Sequence, residues 1–214
     1  VKSGEHMMPD ARPSAVILAG GQSRRIGADK AMIELCGTPL ALHIARRLEP
    51  QVSAVFLNAP LDHPLAGTLP LLPDSKPDRP GPLAGVLAGL RACAERADAP
   101  THILTTPCDT PFLAHDLVSR LAEQAESGTI VMASCAGRAH PITALWPLSL
   151  ADDLDRWLDE PDHRRVFDFV ARHPSRTVAF ELLDGTSGPV DPFFNINTPE
   201  DLALAATILE RGDL

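Results

Sequence analysis

Leu18-Ala19-Gly20-Gly21-Gln22-Ser23-Arg24-Arg25-Ile26-Gly27-Ala28-Asp29-Lys30 follows directly on the apolar run Ala15-Val16-Ile17. A short aliphatic run that stops at a Gly-Gly pair suits a buried parallel strand ending in a tight turn. Three glycines in the turn admit backbone conformations and close approaches that a Cβ would block. Successive backbone N–H groups in such a turn form a concavity for an anion. Arg24, Arg25 and Lys30 add the positive charge that a triphosphate needs. Placed after the first strand, the loop lies at the carboxyl end of the sheet, where open α/β proteins take their ligands. It is not a P-loop, because no Gly-Lys pair is present, and Gly20-Gly21 followed by Gly27 does not make GxGxxG. Alone, it is equally compatible with a surface turn carrying solvated arginines.

Outward from this loop, apolar runs and helical patterns alternate. Thr38-Pro39 is a helix start, with Pro at the first position, and that helix should stop before Pro50. Strands are expected at 52–58, 69–72, 102–105, 129–134, 142–146 and 176–182. Helices are expected at 82–97, 113–126, 150–159 and 163–173, with a last one entered through Thr198-Pro199-Glu200-Asp201. Such alternation predicts a Rossmann-like three-layer α/β/α domain with a mostly parallel central sheet. Residues 15–214 read as a single domain after a flexible stretch at 1–14, part of which (Val1–Met8) resembles a cloning remnant.

Composition narrows the function. The 214 residues are 44% hydrophobic and 22% charged, with a net charge of −9, which argues against a nucleic-acid partner. The 21 prolines are spread out and read as turn punctuation. Cys36, Cys93, Cys108 and Cys135 form no CxxC pair, which fits reduced thiols in a cytoplasmic protein. No apolar run approaches the roughly 18 residues of a membrane span.

The loop motif resembles the signature of the molybdenum cofactor guanylyltransferases, the MobA family. The resemblance continues through Gly37-Thr38-Pro39-Leu40 with His43, and Pro80-Gly81-Pro82-Leu83-Ala84-Gly85. Pro107-Cys108-Asp109-Thr110-Pro111, His140-Pro141 and Asn195-Ile196-Asn197-Thr198-Pro199-Glu200-Asp201 complete it. These blocks keep the family's order from about Ala15 to Leu204. The resemblance implies the nucleotide-diphospho-sugar transferase type of fold. It also implies transfer of GMP from GTP to the terminal phosphate of molybdopterin or Mo-molybdopterin, with release of pyrophosphate. Mg²⁺ would assist, with Mn²⁺ able to substitute, and the product would pass by transient contact to molybdenum-insertion proteins or molybdoenzymes.

Roles follow from the same resemblance. Arg25, Lys30 and Asp109 would be catalytic, with Asp109 the metal ligand; by position alone Asp109 could equally be a helix N-cap. Leu18, Ala19, Gly20, Gly21, Lys30, Asn58, Asp74, Gly85 and Asp109 would contact GTP. Asn58 also suits a turn, and Gly85 suits tight helix packing. His140, Arg164, Arg165, Asn195 and Asn197 would face the pterin, although Asn before a Thr-Pro cap is ordinary loop chemistry and arginines ordinarily lie on solvated faces. The remaining histidines read as structural or surface groups. Two relatives share the loop, the metal and the in-line chemistry: molybdopterin cytidylyltransferases and sugar-1-phosphate nucleotidyltransferases. A non-catalytic nucleotide-binding module is disfavoured because Arg25, Lys30 and Asp109 are all present.

Overall fold

A computed structural model describes residues 12–19, 29–76, 81–95, 100–160, 163, 165–185 and 188–211. The main sheet begins with β1 (Ala15–Leu18). A 3₁₀ turn (Lys30–Met32), the small hairpin β2 (Glu34–Leu35) and β3 (Thr38–Pro39), and helix α1 (Leu40–Leu48) lead to β4 (Val55–Asn58). Helix α2 (Pro82–Ala94), β5 (His102–Pro107), α3 (Leu117–Ala122), β6 (Ile130–Cys135) and β7 (Arg138–Pro147) follow. Helices α4 (Ala151–Asp159) and α5 (Val166–Val170), strand β8 (Ser175–Phe180), the hairpin β9 (Leu183–Gly185) and β10 (Gly188–Val190), and α6 (Pro199–Glu210) complete the described chain.

The six-stranded sheet runs β4-β1-β5-β7-β6-β8. All neighbours are parallel except β7, which is antiparallel to both β5 and β6. The expected mostly parallel sheet under helices is present, with this one reversed strand. Side chains alternate across it as a strand covered on both faces requires. Ala15 and Ile17 of β1 enter one core with Ile44 and Leu48 of α1 and Leu117 and Leu121 of α3. Val16 and Leu18 enter the opposite core with Leu83, Val86 and Leu87 of α2, Leu154 of α4 and Phe169 of α5. A smaller cluster seats α6, through Ala205 and Ile208, against Leu35 and Leu40.

Two expectations are corrected. Residues 69–72 do not form a strand; only Leu71 bridges Leu57, because Pro70 and Pro73 lack the N–H groups a ladder needs. The helix expected over 113–126 shrinks to Leu117–Ala122, preceded by turns. Among the described residues no helix is long and apolar enough to cross a membrane.

Candidate active site at the carboxyl edge of the sheet

Pairing register places Leu18, Asn58 and Pro107 side by side, each as the last residue of its strand. The chain leaves the sheet here three times, and these exits hold the polar groups. Ala19 N–H donates to Asn58 O, and Cys108 N–H donates to Leu18 O, both at 3.2 Å. Leu18 and Ala19 thus already spend one backbone group each within the protein. Gly20, Gly21, Arg24 and Arg25 lie outside the described residues, as does Arg164.

Asp109 follows β5 by two residues and is not a helix cap, since α3 begins only at Leu117. Its backbone carbonyl accepts from Ile196 N–H at 2.9 Å, tying this corner to the segment before α6. One carboxylate oxygen, Oδ2, accepts from Lys30 Nζ at 2.8 Å. The other, Oδ1, is buried without a hydrogen-bond partner among the described residues, and so is Asn195 Oδ1. Orphaned buried oxygens are rare in native structures and mark a place for a missing partner.

Lys30 Nζ also donates to Asn197 Oδ1 at 2.6 Å. One ammonium therefore joins a carboxylate from the middle of the sheet to an asparagine from the segment entering α6. Asn197 is itself held: Asp201 Oδ2 accepts from the N–H groups of Asn197 and Thr198, at 2.9 Å each, and Asp201 N–H donates back to Thr198 Oγ1 at 3.1 Å. The sequence marked Thr198-Pro199-Glu200-Asp201 as a helix start; that Thr198 and Asp201 form a reciprocal capping box comes from the structure. Its hydrogen bonds, that from Asn197 foremost, hold the Asp201 carboxyl below its ordinary range.

Asn58, almost fully buried, donates through Nδ2 to Leu72 O and Asp74 Oδ1, both at 2.9 Å. Gly85, in the first turns of α2, lies against the other end of the Asn58 side chain, so it acts by leaving room. The chain beyond Asp74 is pinned by Lys76, which pairs with Asp155 at 2.9 Å and with Asp159, while Arg91 of α2 pairs with Asp155 at 2.6 Å. The Lys76 hydrogen bond foremost holds Asp155 below its ordinary range.

Burial first, then the charges of Asp109 and Asp29, push the neighbouring Cys108 thiol up to about 12, with Lys30 opposing only in part. Two buried oxygens with no partner among the described residues fit a hard divalent cation, and Mg²⁺ needs only one or two protein oxygens when phosphates and waters supply the rest. Among the described residues no cluster of three or more His, Cys, Asp or Glu side chains offers an all-protein metal cage.

Of the residues expected to face the pterin, His140 lies 4.6 Å from Phe193, ring to ring, and its Nε2 is buried with no hydrogen-bond partner among the described residues. Burial foremost lowers its pKa from 6.5. His140 and Asn195 thus share one neighbourhood, through Phe193. Arg165 is exposed at the start of α5, and nothing among the described residues joins it to that group. His63 was not singled out from the sequence, yet it is buried against Asp29 in this region. Only a fold could reveal that pairing, because 34 residues separate the two.

The chain matches the family model of the MobA-like NTP transferase domain over residues 15–177. It is 47% identical over 196 residues to the molybdenum cofactor guanylyltransferase of Rhizobium meliloti, covering 90% of each chain. With that of Rhizobium rhizogenes the identity is 48% over 188 residues, 87% of each. The fold is shared with molybdopterin-guanine dinucleotide biosynthesis protein A from Archaeoglobus fulgidus, at a TM-score of 0.69 and 23% identity, over 92% of this chain and 98% of that one. The family model covers the sheet and its carboxyl-edge groups up to β8, and the relatives extend the match over nearly the whole length: this chain belongs to the MobA-like NTP transferase family.

Proposed function

We propose that this protein transfers GMP from GTP to the terminal phosphate of molybdopterin or Mo-molybdopterin, releasing pyrophosphate and forming the guanine dinucleotide form of the cofactor. The observation that carries this reading is Lys30, whose ammonium touches both Asp109 and Asn197. A cation so placed sits between a nucleotide half, built from β1, β4, β5 and the loop after β1, and an acceptor half beyond Gly137. Relatives 47% and 48% identical are molybdenum cofactor guanylyltransferases, which supports GTP and molybdopterin as the substrate pair.

An oxygen of the acceptor phosphate attacks the α-phosphorus of GTP. A new P–O bond forms as the bond to the bridging oxygen of the β-phosphate breaks, and pyrophosphate departs with that electron pair. A phosphate nucleophile is already ionised near neutral pH, so no protein base is required, and catalysis is positioning and charge stabilisation. Asp109 would hold a divalent cation, Mg²⁺ or Mn²⁺, and Asn195 Oδ1 could share the task, since the next residue, Ile196, is bonded to Asp109 O. That ion supplies Lewis-acid neutralisation of the triphosphate. Lys30 and Arg25 neutralise the remaining charge. Asn58 and Asp74, with the backbone of Leu18 to Gly21, receive the nucleoside, and Gly85 makes space for Asn58. His140, Asn195 and Asn197 face the pterin phosphate; Arg164 and Arg165 remain assigned to it by the family resemblance alone. On this reading the reaction takes place in the cytoplasm, and the product would pass on by contact with molybdenum-insertion proteins or molybdoenzymes.

A panel of GTP, CTP and ATP, each with Mg²⁺ and molybdopterin, tests this by pyrophosphate release. GTP should lead by at least about tenfold, a difference of about 1.4 kcal/mol in transition-state binding. A lead by CTP, or nucleotide binding without pyrophosphate release, overturns it.

A further inference from the structure

We propose that His63 is a positioning residue for Lys30, acting through Asp29; this rests on the reading of Lys30 as the cation of the transfer site. Asp29 uses both carboxylate oxygens. Oδ1 accepts from Ala31 N–H at 3.0 Å and so caps the 3₁₀ turn in which Lys30 is the first residue. Oδ2 accepts from His63 Nε2 at 2.6 Å. The Asp29 side chain is 39% exposed, whereas that of His63 is 5% exposed, so a buried ring anchors a carboxylate that would otherwise rotate in solvent.

The ring is held in turn. Leu65 N–H donates to His63 Nδ1 at 3.1 Å, which only an unprotonated Nδ1 can accept, so the ring proton lies on Nε2 and points at Asp29. His63 N–H donates to Pro60 O at 3.0 Å, and Ala66 N–H to His63 O at 2.9 Å. Leu65 and Leu69, from the same turns, are buried in the core with Ile17 and Leu57. A rigid chain of contacts therefore runs from the core to His63, to Asp29 and to the backbone that launches Lys30. The turn itself is closed by Met32 N–H donating to Asp29 O at 3.0 Å and Ile33 N–H donating to Lys30 O at 3.2 Å, so what His63 adds is the orientation of the Asp29 carboxylate that caps it.

Lysine has a long flexible stem, so holding its ammonium between Asp109 and Asn197 depends on where its backbone starts. A His63 that merely stitched its own loop would need Nδ1 and not Nε2. The two nitrogens can be removed separately. His63→Asn keeps an oxygen near Nδ1 for Leu65 N–H but falls short of Asp29. His63→Gln gives up the Leu65 bond but carries an N–H donor to the Nε2 position. Asp29→Asn keeps the Ala31 cap but turns an amide donor toward Nε2–H.

Each variant is assayed for kcat and KM with GTP, Mg²⁺ and molybdopterin, beside its thermal midpoint. His63→Asn and Asp29→Asn should lower kcat by about 10- to 100-fold, as misplacement of a catalytic group does, with KM for GTP moving less. His63→Gln should recover to within about threefold of the parent on the same scale. The chain has three lysines, Lys2, Lys30 and Lys76, so labelling lysine Cε with ¹³C gives a readout that needs no turnover. The Lys30 signal of the ligand-free chain should shift in His63→Asn and Asp29→Asn and return in His63→Gln, with Lys76 unmoved. Parent-like kcat with an unmoved Lys30 signal in His63→Asn overturns the proposal, as does equal damage in His63→Asn and His63→Gln. A parent chain that releases no pyrophosphate strikes the guanylyltransferase reading instead, and the lysine signal then decides the role of His63.

Discussion

A Cβ built on Gly85 would overlap Asn58 Oδ1 and stand 2.7 Å from Asn58 Cγ and 2.8 Å from Leu18 Cδ2. The absent side chain of one helix residue is the space in which the Asn58 carboxamide lies. That carboxamide cannot easily turn aside, because its Nδ2 is bonded to Leu72 O and Asp74 Oδ1. Overpacking costs about 1–3 kcal/mol and about 1 kcal/mol of helix propensity offsets only part of it, so Gly85→Ala should cost up to about 2 kcal/mol of stability. The folded fraction should also lose nucleotide: GTP binding by calorimetry weakens about tenfold, close to the value of one lost hydrogen bond. An unchanged Kd would separate Gly85 and Asn58 from nucleotide recognition.

Asp109→Asn keeps an acceptor for Lys30 but loses the charge at the orphaned Oδ1. Turnover should fall by about 100-fold or more, the scale of removing one transition-state charge contact. GTP binding without metal should change by less than about threefold, and the Mg²⁺-dependent gain in affinity should shrink. Kinetics and calorimetry with and without Mg²⁺ give both numbers, and near-normal turnover would return Asp109 to a purely structural part.

His102 is buried at the start of β5, where its ring lies 2.9 Å from Thr101 Oγ1 and 3.3 Å from Thr129 O. Burial foremost lowers its pKa from 6.5. The folded state therefore binds fewer protons than the unfolded chain just below pH 6.5, and stability falls as the pH drops from 6.5 through the folded value. Above 6.5 the group contributes no loss. His102→Gln should remove this share of the acid-side decline, so the parent-to-variant difference in urea midpoint should change between pH 7.5 and pH 5.5. A constant difference would show that His102 does not titrate with unfolding.

Of the four cysteines, Cys36 is exposed and Cys93, Cys108 and Cys135 are buried. Burial foremost, with the Asp109 and Asp29 charges, raises the Cys108 thiol to about 12. Thiolate is the reactive form, so at pH 8 one thiol per chain should react quickly with a disulfide reagent, and Cys36→Ser should abolish that phase. A fast phase surviving in Cys36→Ser would mean that the carboxyl edge opens readily.

The legible parts of the fold were those written in local sequence. Ala15–Leu18 announced itself as a buried strand, Thr38-Pro39 marked the approach to α1, which begins one residue later at Leu40, and Thr198-Pro199 marked the start of α6. The direction of β7 was not legible, because hydrophobic pattern does not distinguish parallel from antiparallel neighbours. The expected gap between strands at 129–134 and 142–146 also hid a hairpin whose turn is only Ala136-Gly137, with a register shift at Met132/Ala133. In the site, Lys30, Asp109 and Asn197 were named from the sequence, but their meeting at one ammonium was not. His63 carried no signal at all. It stands in a proline- and glycine-punctuated loop, and its partner is set by tertiary packing.

The reversed strand has a practical result. Ala136 and Gly137 both have positive φ, the conformation of a two-residue turn whose twist matches the flanking strands. Because β7 runs against β6, this turn and His140 return to the same rim as Leu18, Asn58 and Pro107 without an intervening helix. The wall on that side is thus the turn end of a hairpin whose strands lie inside the sheet, β7 paired with β5 and β6 with β8, and β6 buried along its length. On the proposed reading, lengthening it at Ala136-Gly137 would alter the acceptor side while leaving Leu18, Asn58 and Pro107 in register, so second-substrate choice would be open to redesign apart from nucleotide choice.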